Sequence, residues 1–535
     1  MSKIATYLNE HLMGEVVSQG KDLTEASTDG SQLLQKPEIV AHVANTSDIR
    51  KVARFCWQLA EKGHVISITA RGHGTDMTGA AIGSGIVISP TRHMSRVIAI
   101  DTKKRMILLQ AGAPYAGAQM TLSTHRGLTL PRDSFDGESG SVGGAIASGA
   151  AGQLNHRYGT VGSAVRQLEI VLSNGEVLQT ERLSKGAVNR KKGQHNFEGE
   201  IYRKVDNLIS DNQELIQSLA DGPEYDTMGY RNIVHVKQKD GSIDLTPLFV
   251  GSQGTLGIIT EVVMDGQFAR QDMDVLYAAY DNLSDAQAAA DKAVLTKKAA
   301  SVQLFDGRLL KRAADQGKKR DFAPKECYKG GLVVVVFDQY SERARRALVK
   351  KLQRELARPN NAVHLSSQSI QSADLTDIST ILAVASQPSK PNEAVPGAFR
   401  GLWLPTVQLD SFLGNLRKIE KEHSLPMPVF VDSSSGFIDL LPIFDMKKVS
   451  DRQKLVKVLN AVAKLVTDHK GTLAGHGGDG RLKSITCPAI MPNAVTELYT
   501  QIKAIFDPYG ILNPGVKQGA SPKEVAAQIN AWCHP

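Results

Sequence analysis

Cysteine is scarce in this 535-residue chain, and its scarcity excludes several kinds of site. The four cysteines, Cys56, Cys327, Cys487 and Cys533, form no CxxC pair. Zinc ribbons, iron–sulfur clusters bound by this chain and thioredoxin-type redox motifs therefore have no support. Thiols this sparse suit a reducing compartment, which favours a cytoplasmic location.

Long apolar runs are lacking too. No stretch of about 18 apolar residues occurs, and the N-terminal segment has no apolar core of signal-peptide length. We therefore expect a soluble protein without a membrane-spanning helix. The expected location is the cytoplasm, with peripheral attachment to a membrane as an alternative.

Aromatic residues make up only 5% of the chain, and the basic stretch at 182–193 contains none. Although the net charge is +8, this pattern argues against nucleic-acid binding, and no nucleic-acid partner is expected. The basic stretch RLSKGAVNRKKG at 182–193 is predicted to be an exposed surface loop. A basic surface would equally steer a small anionic substrate.

Glycine is plentiful, and many of the 47 glycines fall in three short runs. The first run, residues 71–79, lies between the strand-like segments HVISITA and GIVIS. Successive backbone N–H groups in such a turn can hold an anion, and glycine lets a pyrophosphate approach closely. A Rossmann fingerprint would need a helix next, so that motif is excluded. A tight hairpin is the alternative for this run taken alone.

The other two runs are longer. The second, residues 131–152, has small side chains at nearly every position from Gly143 to Gly152, and RYGT follows at 157–160. The third, at 249–261, has the sequence FVGSQGTLGIITE. A tightly packed small-residue helix would account for the second run, but a ligand laid along the backbone explains its glycine density better.

The pattern of elements changes near residue 267. Before it, short strand-like runs alternate with helices. After it, strand, helix and strand follow twice in a βαβ-βαβ order, which is typical of a ferredoxin-like α+β module. A proline-rich connector at 388–396 leads to a second α+β stretch with a long helix at 452–469. The chain is therefore predicted to form two lobes.

The glycine runs, in this order and spacing, resemble the FAD-binding domain of the vanillyl-alcohol oxidase superfamily, which is of the PCMH type. They are most similar to FAD-linked 2-hydroxyacid dehydrogenases related to D-lactate and glycolate dehydrogenases. The family's RGGGTxxxG loop corresponds to Arg71–Gly79, and its GSEGTLGIITE to Gly251–Glu261 with Gln253 in place of glutamate. The family's proline, serine and glycine segment corresponds to 131–152, and its terminus to AIFDPYGILNPGVK. The resemblance extends from about residue 37 to residue 517.

The resemblance implies an α+β protein in which a PCMH-type FAD-binding domain carries a ferredoxin-like α+β cap. The expected divisions are 1–267 for the FAD-binding domain, 268–500 for the cap and 501–535 for a C-terminal return to the FAD-binding domain. Relatives with covalent flavin carry histidine where Thr75 stands here, so non-covalent FAD is expected, with attachment at His73 as the alternative. The residues expected to bind the cofactor are Arg71, Gly72, His73, Gly74, Thr75, Asp76, Pro131, Ser134, Ser139, Gly143, Gly144, Ser148, Gly152, Tyr158, Gly159, Gly257, Ile258, Ile259 and Asn513.

The sequence departs from the family at its metal motifs. Where many relatives have two metal-binding histidines, this chain has Asp432 and Asp439, and the relatives' EHG motif is Gly475-His476-Gly477 here. Three interpretations stay open. Asp432, Asp439 and His476 could bind a divalent metal through two oxygens and one nitrogen. His476 could instead be a general base without a metal. All three residues could also be structural.

An anionic substrate needs a cation in a mostly apolar pocket. Arg400, within GAFRGLWLP, is the first choice and is predicted to be catalytic together with His476, while Lys390 and Arg481 are alternatives. The resemblance implies hydride transfer from a small 2-hydroxy acid, such as D-lactate, to FAD.

Other functions stay open. The alternatives are oxidation of a sugar, a lactone or another alcohol or amine, and a catalytically impaired flavin-binding subunit. The electron acceptor is left open among a quinone, an iron–sulfur protein, a flavoprotein and O2, as is the formation of a homodimer.

Overall fold

The structure is a computed structural model that describes residues 3–137, 139–357 and 362–533. Helices and strands are mixed throughout, as the α+β prediction requires. No helix in the described part of the chain is long and apolar enough to cross a membrane.

A mostly parallel sheet begins the fold. It has the order β1-β2-β4-β3, and β4 is parallel to both β2 and β3. Its strands are β1 (Glu15–Val17), β2 (Ile39–His42), β3 (Ile68–Ala70) and β4 (Ile86–Ser89), with helices α1 (Lys3–His11), α2 (Lys21–Ala26) and α3 (Thr46–Ala60). Because β3 and β4 are parallel, the loop at 71–79 is not the tight hairpin that was the alternative. The chain must return to the opposite end of the sheet before β4 begins. The loop at 71–79 therefore lies at the carboxyl ends of the strands.

An antiparallel sheet follows, in the order β5-β6-β10-β8-β9. Its strands are β5 (Val97–Asp101), β6 (Met106–Gln110), β8 (Val165–Val171), β9 (Val177–Gln179) and β10 (Ile258–Asp265), and a small pair consists of β7 (Leu128–Thr129) and β11 (Gln267–Phe268). The helices here are α4 (Tyr115–Ser123), α5 (Val142–Ala147), α6 (Asn155–Tyr158), α7 (Lys185–Lys192), α8 (Phe197–Asp211), α9 (Gln213–Ala220) and α10 (Thr246–Phe249). Short 3-10 turns occupy Val161–Ala164 and Arg231–His235.

The stretch at 182–193 lies at the surface, as predicted, but it is not a loop, because most of it is helix α7. Ser184 caps its first turn by accepting a hydrogen bond from the N–H of Ala187, and the basic residues of the last turn suit the helix dipole. Val188 is the one buried residue within the helix. Helical periodicity is therefore weak in the sequence, although the local capping signal was present.

The second half of the chain forms a seven-stranded antiparallel sheet in the order β15-β12-β14-β13-β18-β19-β17. Its strands are β12 (Asp272–Tyr280), β13 (Ser301–Asp306), β14 (Gly331–Phe337), β15 (Ala362–Gln371), β17 (Leu402–Trp403), β18 (Val429–Asp432) and β19 (Phe437–Leu440), and a separate pair consists of β16 (Glu393–Ala394) and β20 (Phe444–Asp445). Helices α11 (Leu283–Leu295), α12 (Gly307–Asp315), α13 (Glu342–Leu356), α14 (Leu375–Ser386), α15 (Leu409–His423) and α16 (Val449–Asp468) accompany them. Short 3-10 turns occupy Lys325–Tyr328, Ser372–Asp374, Gly397–Phe399 and Thr406–Gln408. The first four strands in this order have the fourth-first-third-second arrangement of a ferredoxin-like module, which confirms the βαβ-βαβ prediction.

The last helices return to the first half of the molecule. They are α17 (Cys487–Ile490), preceded by a 3-10 turn at Ser484–Thr486, α18 (Asn493–Phe506) and α19 (Pro522–Cys533). Leu498 and Ile502 of α18 pack in the core beneath the five-stranded sheet, and Leu512 bridges to Ile68 of β3. The exact domain boundaries expected from the sequence stay a prediction.

Candidate active site

A cavity of about 180 Å³ lies where the loop after β3, the segment leading into α5 and the second half of the chain meet. One wall consists of residues 72–78, and a second wall of residues from 133–150. The opposite wall carries Arg400, Asp439, His476 and Lys483. We call this space the inner cavity. Residues more than 300 positions apart in sequence therefore line it together.

Backbone dominates the first wall. Gly74 has a φ of +75° and Gly79 of +83°, a region that L-residues with side chains seldom adopt. Within the described residues, the backbone N–H groups of positions 72–76 donate no hydrogen bond to protein. A row of free N–H groups on a glycine loop is a donor set for an anion such as a pyrophosphate. The loop therefore fits the phosphates of FAD.

Glycine is needed at position 72 for space. A Cβ there would lie 2.2 Å from the Oγ of Ser141, which caps α5 by accepting from the N–H of Gly144. Gly144 also faces the inner cavity, and a Cβ there would meet only Ser141, at 3.0 Å. The absence of side chains at these two positions keeps the cavity open beside the free N–H groups.

The prediction that Gly143 contacts the cofactor needs a correction, because this residue does not face the cavity. Its N–H donates to the carbonyl of Ala111, and a Cβ would lie 2.8 Å from the Cβ of Ala111. Gly143 therefore allows α5 to pack closely against the end of β6. Gly152 and Gly257 are similar, since a Cβ would meet the backbone of Ser134 at 2.4 Å and the side chain of Ile170 at 2.4 Å, respectively.

The structure divides the other predicted cofactor residues into two groups. Those that line the inner cavity are Gly72, His73, Gly74, Thr75, Asp76, Ser134, Gly144 and Ser148. Those that do not are Arg71, Pro131, Ser139, Gly143, Gly152, Tyr158, Gly159, Gly257, Ile258, Ile259 and Asn513. Several of the second group support the walls from behind: the side chain of Asn513 donates to the carbonyls of Ala80 and Gln253, both at 2.8 Å, and Ile258 and Ile259 are buried in β10.

Arg400 is buried between two carboxylates. Its Nη2 lies 2.8 Å from Asp136 and 2.9 Å from Asp439, and its Nε donates to Asp439 at 2.9 Å. Burial alone would lower the pKa of Arg400, but the two carboxylates outweigh it and raise the pKa. Burial raises the pKa of Asp439, yet Arg400 brings the net shift downward. The charge of Arg400, the predicted substrate-binding cation, is therefore already compensated by two carboxylates.

His476 lies in the inner cavity, with its ring 5.5 Å from that of Phe135 and 5.1 Å from that of Phe437. Its Nε2 is buried and has no hydrogen-bond partner. Burial lowers the pKa of His476 to about 4, although the charge of Asp439 opposes this shift. The imidazole is therefore neutral at pH 7, and one of its nitrogens can accept a proton.

Lys483 is the residue that sequence reasoning missed. It is among the most deeply buried side chains of the chain, and its Nζ donates to the carbonyls of Arg400 (2.5 Å) and Leu473 (2.8 Å). Burial lowers its pKa to about 8. No local pattern pointed to it, because the burial that sets this lysine apart is decided by tertiary packing.

Gln253 explains one departure from the family motif. Its Nε2 donates to the Oγ1 of Thr78 at 3.0 Å and lies 3.4 Å from a carboxylate oxygen of Asp76. The same nitrogen lies 3.3 Å from the carbonyl oxygen of Gly477, and Oε1 accepts from the N–H of Gly480. A glutamate here would have no hydrogen to donate to the first three groups.

The predicted metal site needs a correction. No group of three His, Cys, Asp or Glu side chains suited to a metal occurs among residues 3–137, 139–357 and 362–533. Asp439 is held by Arg400 and by the N–H of Gly401, while Asp432 accepts from Ser434 and Ser435 in the turn between β18 and β19. Both aspartates are therefore used by neighbouring protein groups.

The alternative substrate cations lie elsewhere. Arg481 donates to the carbonyls of Gly79 and Pro514, so it ties the first glycine loop to the C-terminal segment. Lys390 is exposed and lies 4.0 Å from Glu393. A second, larger cavity of about 760 Å³ adjoins the inner one and shares Gly72–Thr75, Asp136 and Arg400 with it.

Two family models match the chain. The FAD binding domain matches residues 37–181, and the C-terminal domain of FAD linked oxidases matches residues 269–516. The inner cavity lies between these two matched regions, since Gly72 and Ser148 belong to the first and His476 and Lys483 to the second.

Curated relatives carry dehydrogenase and oxidase names. D-2-hydroxyglutarate dehydrogenase of Pseudomonas putida is 24% identical over 519 residues, which cover 95% of this chain and 51% of the relative. A glycolate oxidase subunit of Bacillus subtilis and a D-lactate dehydrogenase of Anaerostipes hadrus are each 22% identical, with 90% of this chain and 89% of the relative covered. The chain spans about half the length of the D-2-hydroxyglutarate dehydrogenases that it matches.

Solved structures share the fold. 4-Ethylphenol oxidase from Gulosibacter chungangensis superposes with a TM-score of 0.65 at 14% identity and 97% coverage of both chains. An alkyldihydroxyacetonephosphate synthase superposes with a TM-score of 0.63 at 13% identity, covering 96% of this chain and 86% of the other. With its FAD binding domain in the first half and the matching C-terminal domain in the second, the chain belongs to the FAD linked oxidases.

Proposed function

We propose that this protein oxidises the hydroxyl-bearing carbon of a small 2-hydroxy acid, with non-covalently bound FAD as the immediate electron acceptor. The observation that carries the proposal is the buried, unpartnered Nε2 of His476, in a cavity whose opposite wall is the glycine loop with free N–H groups. A proton acceptor and an anion-binding backbone on facing walls suit an alcohol oxidised against a flavin.

Residues 72–76, together with Gly144 and Ser148, would hold the cofactor along the first two walls. Bound FAD would supply the acceptor for the hydride that leaves the substrate carbon. Thr75, which stands where covalently linked relatives carry histidine, has no ring nitrogen to attach. Non-covalent binding predicts that acid precipitation releases the flavin into the supernatant, whereas flavin that stays in the pellet would point to His73.

His476 would take the proton of the substrate hydroxyl. A neutral imidazole is the competent form, and its lowered pKa keeps it neutral from pH 5 upward. Phe135 and Phe437 contact the ring and cover part of it. The environment therefore favours a free nitrogen that gains its hydrogen bond only when a substrate hydroxyl arrives.

Lys483 would bind the substrate carboxylate. Arg400 already faces two carboxylates, so its charge is compensated before any ligand enters. Two of the three N–H groups of Lys483 point to the carbonyls of Arg400 and Leu473, and the third has no acceptor among the described residues. A charged donor with one free N–H is the group that a single carboxylate needs.

The relatives suggest the substrate class, because their names refer to D-2-hydroxyglutarate, D-lactate and glycolate. The compensated charge of Arg400 favours a second candidate, an uncharged alcohol such as a sugar. Anaerobic titration of the purified holoenzyme with both classes, followed by the flavin absorbance, distinguishes them. Bleaching by a 2-hydroxy acid is expected; bleaching by uncharged alcohols alone would replace the proposal with the second candidate, and no bleaching by any substrate would leave a flavin-binding subunit.

The electron acceptor that reoxidises the flavin is a separate question. We infer from the hydroxyacid dehydrogenase relatives that it is an acceptor other than O2, as the name of the yeast relative, D-lactate dehydrogenase [cytochrome] 1, indicates for that protein. Mixing the substrate-reduced enzyme with aerated buffer tests this point. Reoxidation within a single turnover time would make the protein an oxidase instead.

A further inference from the structure

A third cavity, of about 450 Å³, shares no residue with the inner cavity or the one beside it. It lies where α6, the start of β12, the α11–β13 connection and the end of β14 meet. Its lining includes His156, Arg157, Arg270, Lys297, Lys298 and Tyr340, and we call it the basic cleft. No step of the proposed oxidation uses these residues.

The charges around the basic cleft do not balance. Asp338 is the one carboxylate in its lining, and it is buried and paired with Arg157 at 3.1 Å. Within the described parts of the chain, Arg270, Lys297 and Lys298 form no ion pair. Three unpaired positive charges around one cavity repel one another, and the repulsion is relieved when an anion enters.

The backbone that carries the two lysines is held in place by hydrogen bonds within the protein. Lys297 has a φ of +53°, and its N–H donates to the carbonyl of Val294 at 3.0 Å. The side-chain amide of Gln339 donates to the carbonyl of Lys298 at 2.6 Å, which ties the lysine turn to the end of β14. The two lysines therefore lie on a turn whose backbone is already ordered. Ligand binding would cost little backbone conformational entropy there.

Tyr340 adds an aromatic surface at the same cleft. The residue is 85% exposed, which is unusual for tyrosine, and the guanidinium of Arg270 lies 5.2 Å from its ring centre. A guanidinium that rests on a ring keeps its N–H edge free for two-point contact with a phosphate. An exposed ring beside phosphate-binding cations also offers a stacking surface.

We propose that the basic cleft binds a small polyanion through its phosphate groups. Arginine and two lysines supply more charge than one carboxylate needs, and a cleft with a single aromatic residue argues against an extended nucleic acid. The phosphates could belong to free pyrophosphate or to a nucleotide, and Tyr340 is the residue that separates these two sources.

The test uses the FAD-loaded protein, in which the glycine loop at 72–76 is occupied. Calorimetric titration with pyrophosphate is expected to show binding, and the variant Lys297→Gln/Lys298→Gln should bind about tenfold or more weakly, because two charged contacts are lost. The control variant Lys103→Gln/Lys104→Gln removes two adjacent exposed lysines elsewhere and should change the affinity by less than about twofold. Flavin content should be the same in all three proteins.

Parallel titrations with ATP and with citrate complete the test. Tighter binding of ATP than of pyrophosphate, lost in Tyr340→Ala, would identify a nucleotide, whereas equal binding would identify free phosphate. Either result supports the proposal. Citrate that binds as tightly as pyrophosphate, equal losses in the two double-lysine variants, or an absence of pyrophosphate binding to the holoenzyme would each overturn it.

Discussion

The two sides of the inner cavity are built in opposite ways. On one side, residues 72–76 present backbone N–H groups, and Gly72 and Gly144 keep the space beside them open. On the other side, Arg400, His476 and Lys483 fill the space with charged and titratable side chains that neighbouring groups hold in place. The first wall therefore offers backbone N–H groups, and the second offers buried side chains.

This difference separates binding from chemistry. A backbone wall offers dipoles that do not titrate, so its affinity for a phosphate anion depends little on pH. A wall of buried side chains has shifted pKa values, with His476 near 4 and Lys483 near 8. Changes to the first wall should therefore remove the cofactor, and changes to the second should leave the cofactor bound and alter the reaction.

The largest effect is expected for Gly72→Val. Its Cβ would lie 2.2 Å from the Oγ of Ser141, and the branched side chain would fill the space beside the free N–H groups. Purified protein should be folded and colourless, with flavin absorbance reduced by roughly tenfold or more at equal protein concentration. Gly414→Val is the matched control, because nothing lies within 4 Å of a Cβ at that helical position. A yellow Gly72→Val protein would contradict our placement of the cofactor.

The next effect concerns His476→Gln, which removes the proton acceptor on the opposite wall. Flavin content should stay normal, while substrate reduces the flavin about 100-fold more slowly in an anaerobic stopped-flow measurement. His195→Gln, at an exposed position, should reduce at the wild-type rate. If His476→Gln loses flavin instead, our assignment of cofactor binding to the first wall and of the reaction to the second wall is wrong.

A smaller effect is expected from pH. The flavin reduction rate should rise as the pH increases through about 4, where His476 becomes neutral, and then stay level. Lys483 loses its charge as the pH rises through about 8, so KM for a carboxylate substrate should increase above that pH. One pH unit above this pKa, only about a tenth of the lysine stays charged, so KM should be about tenfold higher than at a pH well below the pKa. The value of kcat should change little.

Lys483→Arg should move this alkaline limb to higher pH, because a guanidinium keeps its charge. Lys390→Arg, at an exposed lysine, should leave the profile unchanged. An alkaline limb of the same position in Lys483→Arg would show that another group titrates there.

The sequence predicted the backbone wall better than the side-chain wall, for a physical reason. Glycine runs are local, so Arg71–Gly79 could be recognised without knowing what it faces, and the fold that carries it followed from the same motifs. Local pattern could not separate Gly144, which faces the cavity, from Gly143, which packs against Ala111 one residue earlier. That distinction depends on helix orientation, which tertiary packing decides.

The side-chain wall depends on long-range pairing that spacing does not encode. Arg400 was expected to bind the substrate anion, but Asp136, which is 264 positions away, pairs with it. Asp432 and Asp439 keep the spacing of a metal motif, yet they are used by a turn and by Arg400. Arg400, Asp439 and His476 all line the cavity, but only His476 keeps a side-chain nitrogen without a hydrogen-bond partner.

The smallest effect is expected where the two walls meet, at Gln253. Restoring the family's glutamate by Gln253→Glu would replace a donor by an acceptor beside Asp76, Thr78 and the carbonyl of Gly477. The variant should unfold with a free energy lower by about 1–3 kcal/mol, because buried acceptors would face one another without a hydrogen. Gln253→Met, which has no amide, measures the loss of the contacts without the added charge.

Asp76→Asn supplies an amide in place of the carboxylate, so Asp76→Asn/Gln253→Glu should recover part of the loss. A double-mutant cycle by denaturant unfolding of the holoenzyme should then give a favourable coupling of about 0.5–3 kcal/mol between positions 76 and 253. Strict additivity of the two single variants would show that Asp76 does not hold Gln253, and the contacts with Thr78 and Gly477 would then be the ones that require an amide.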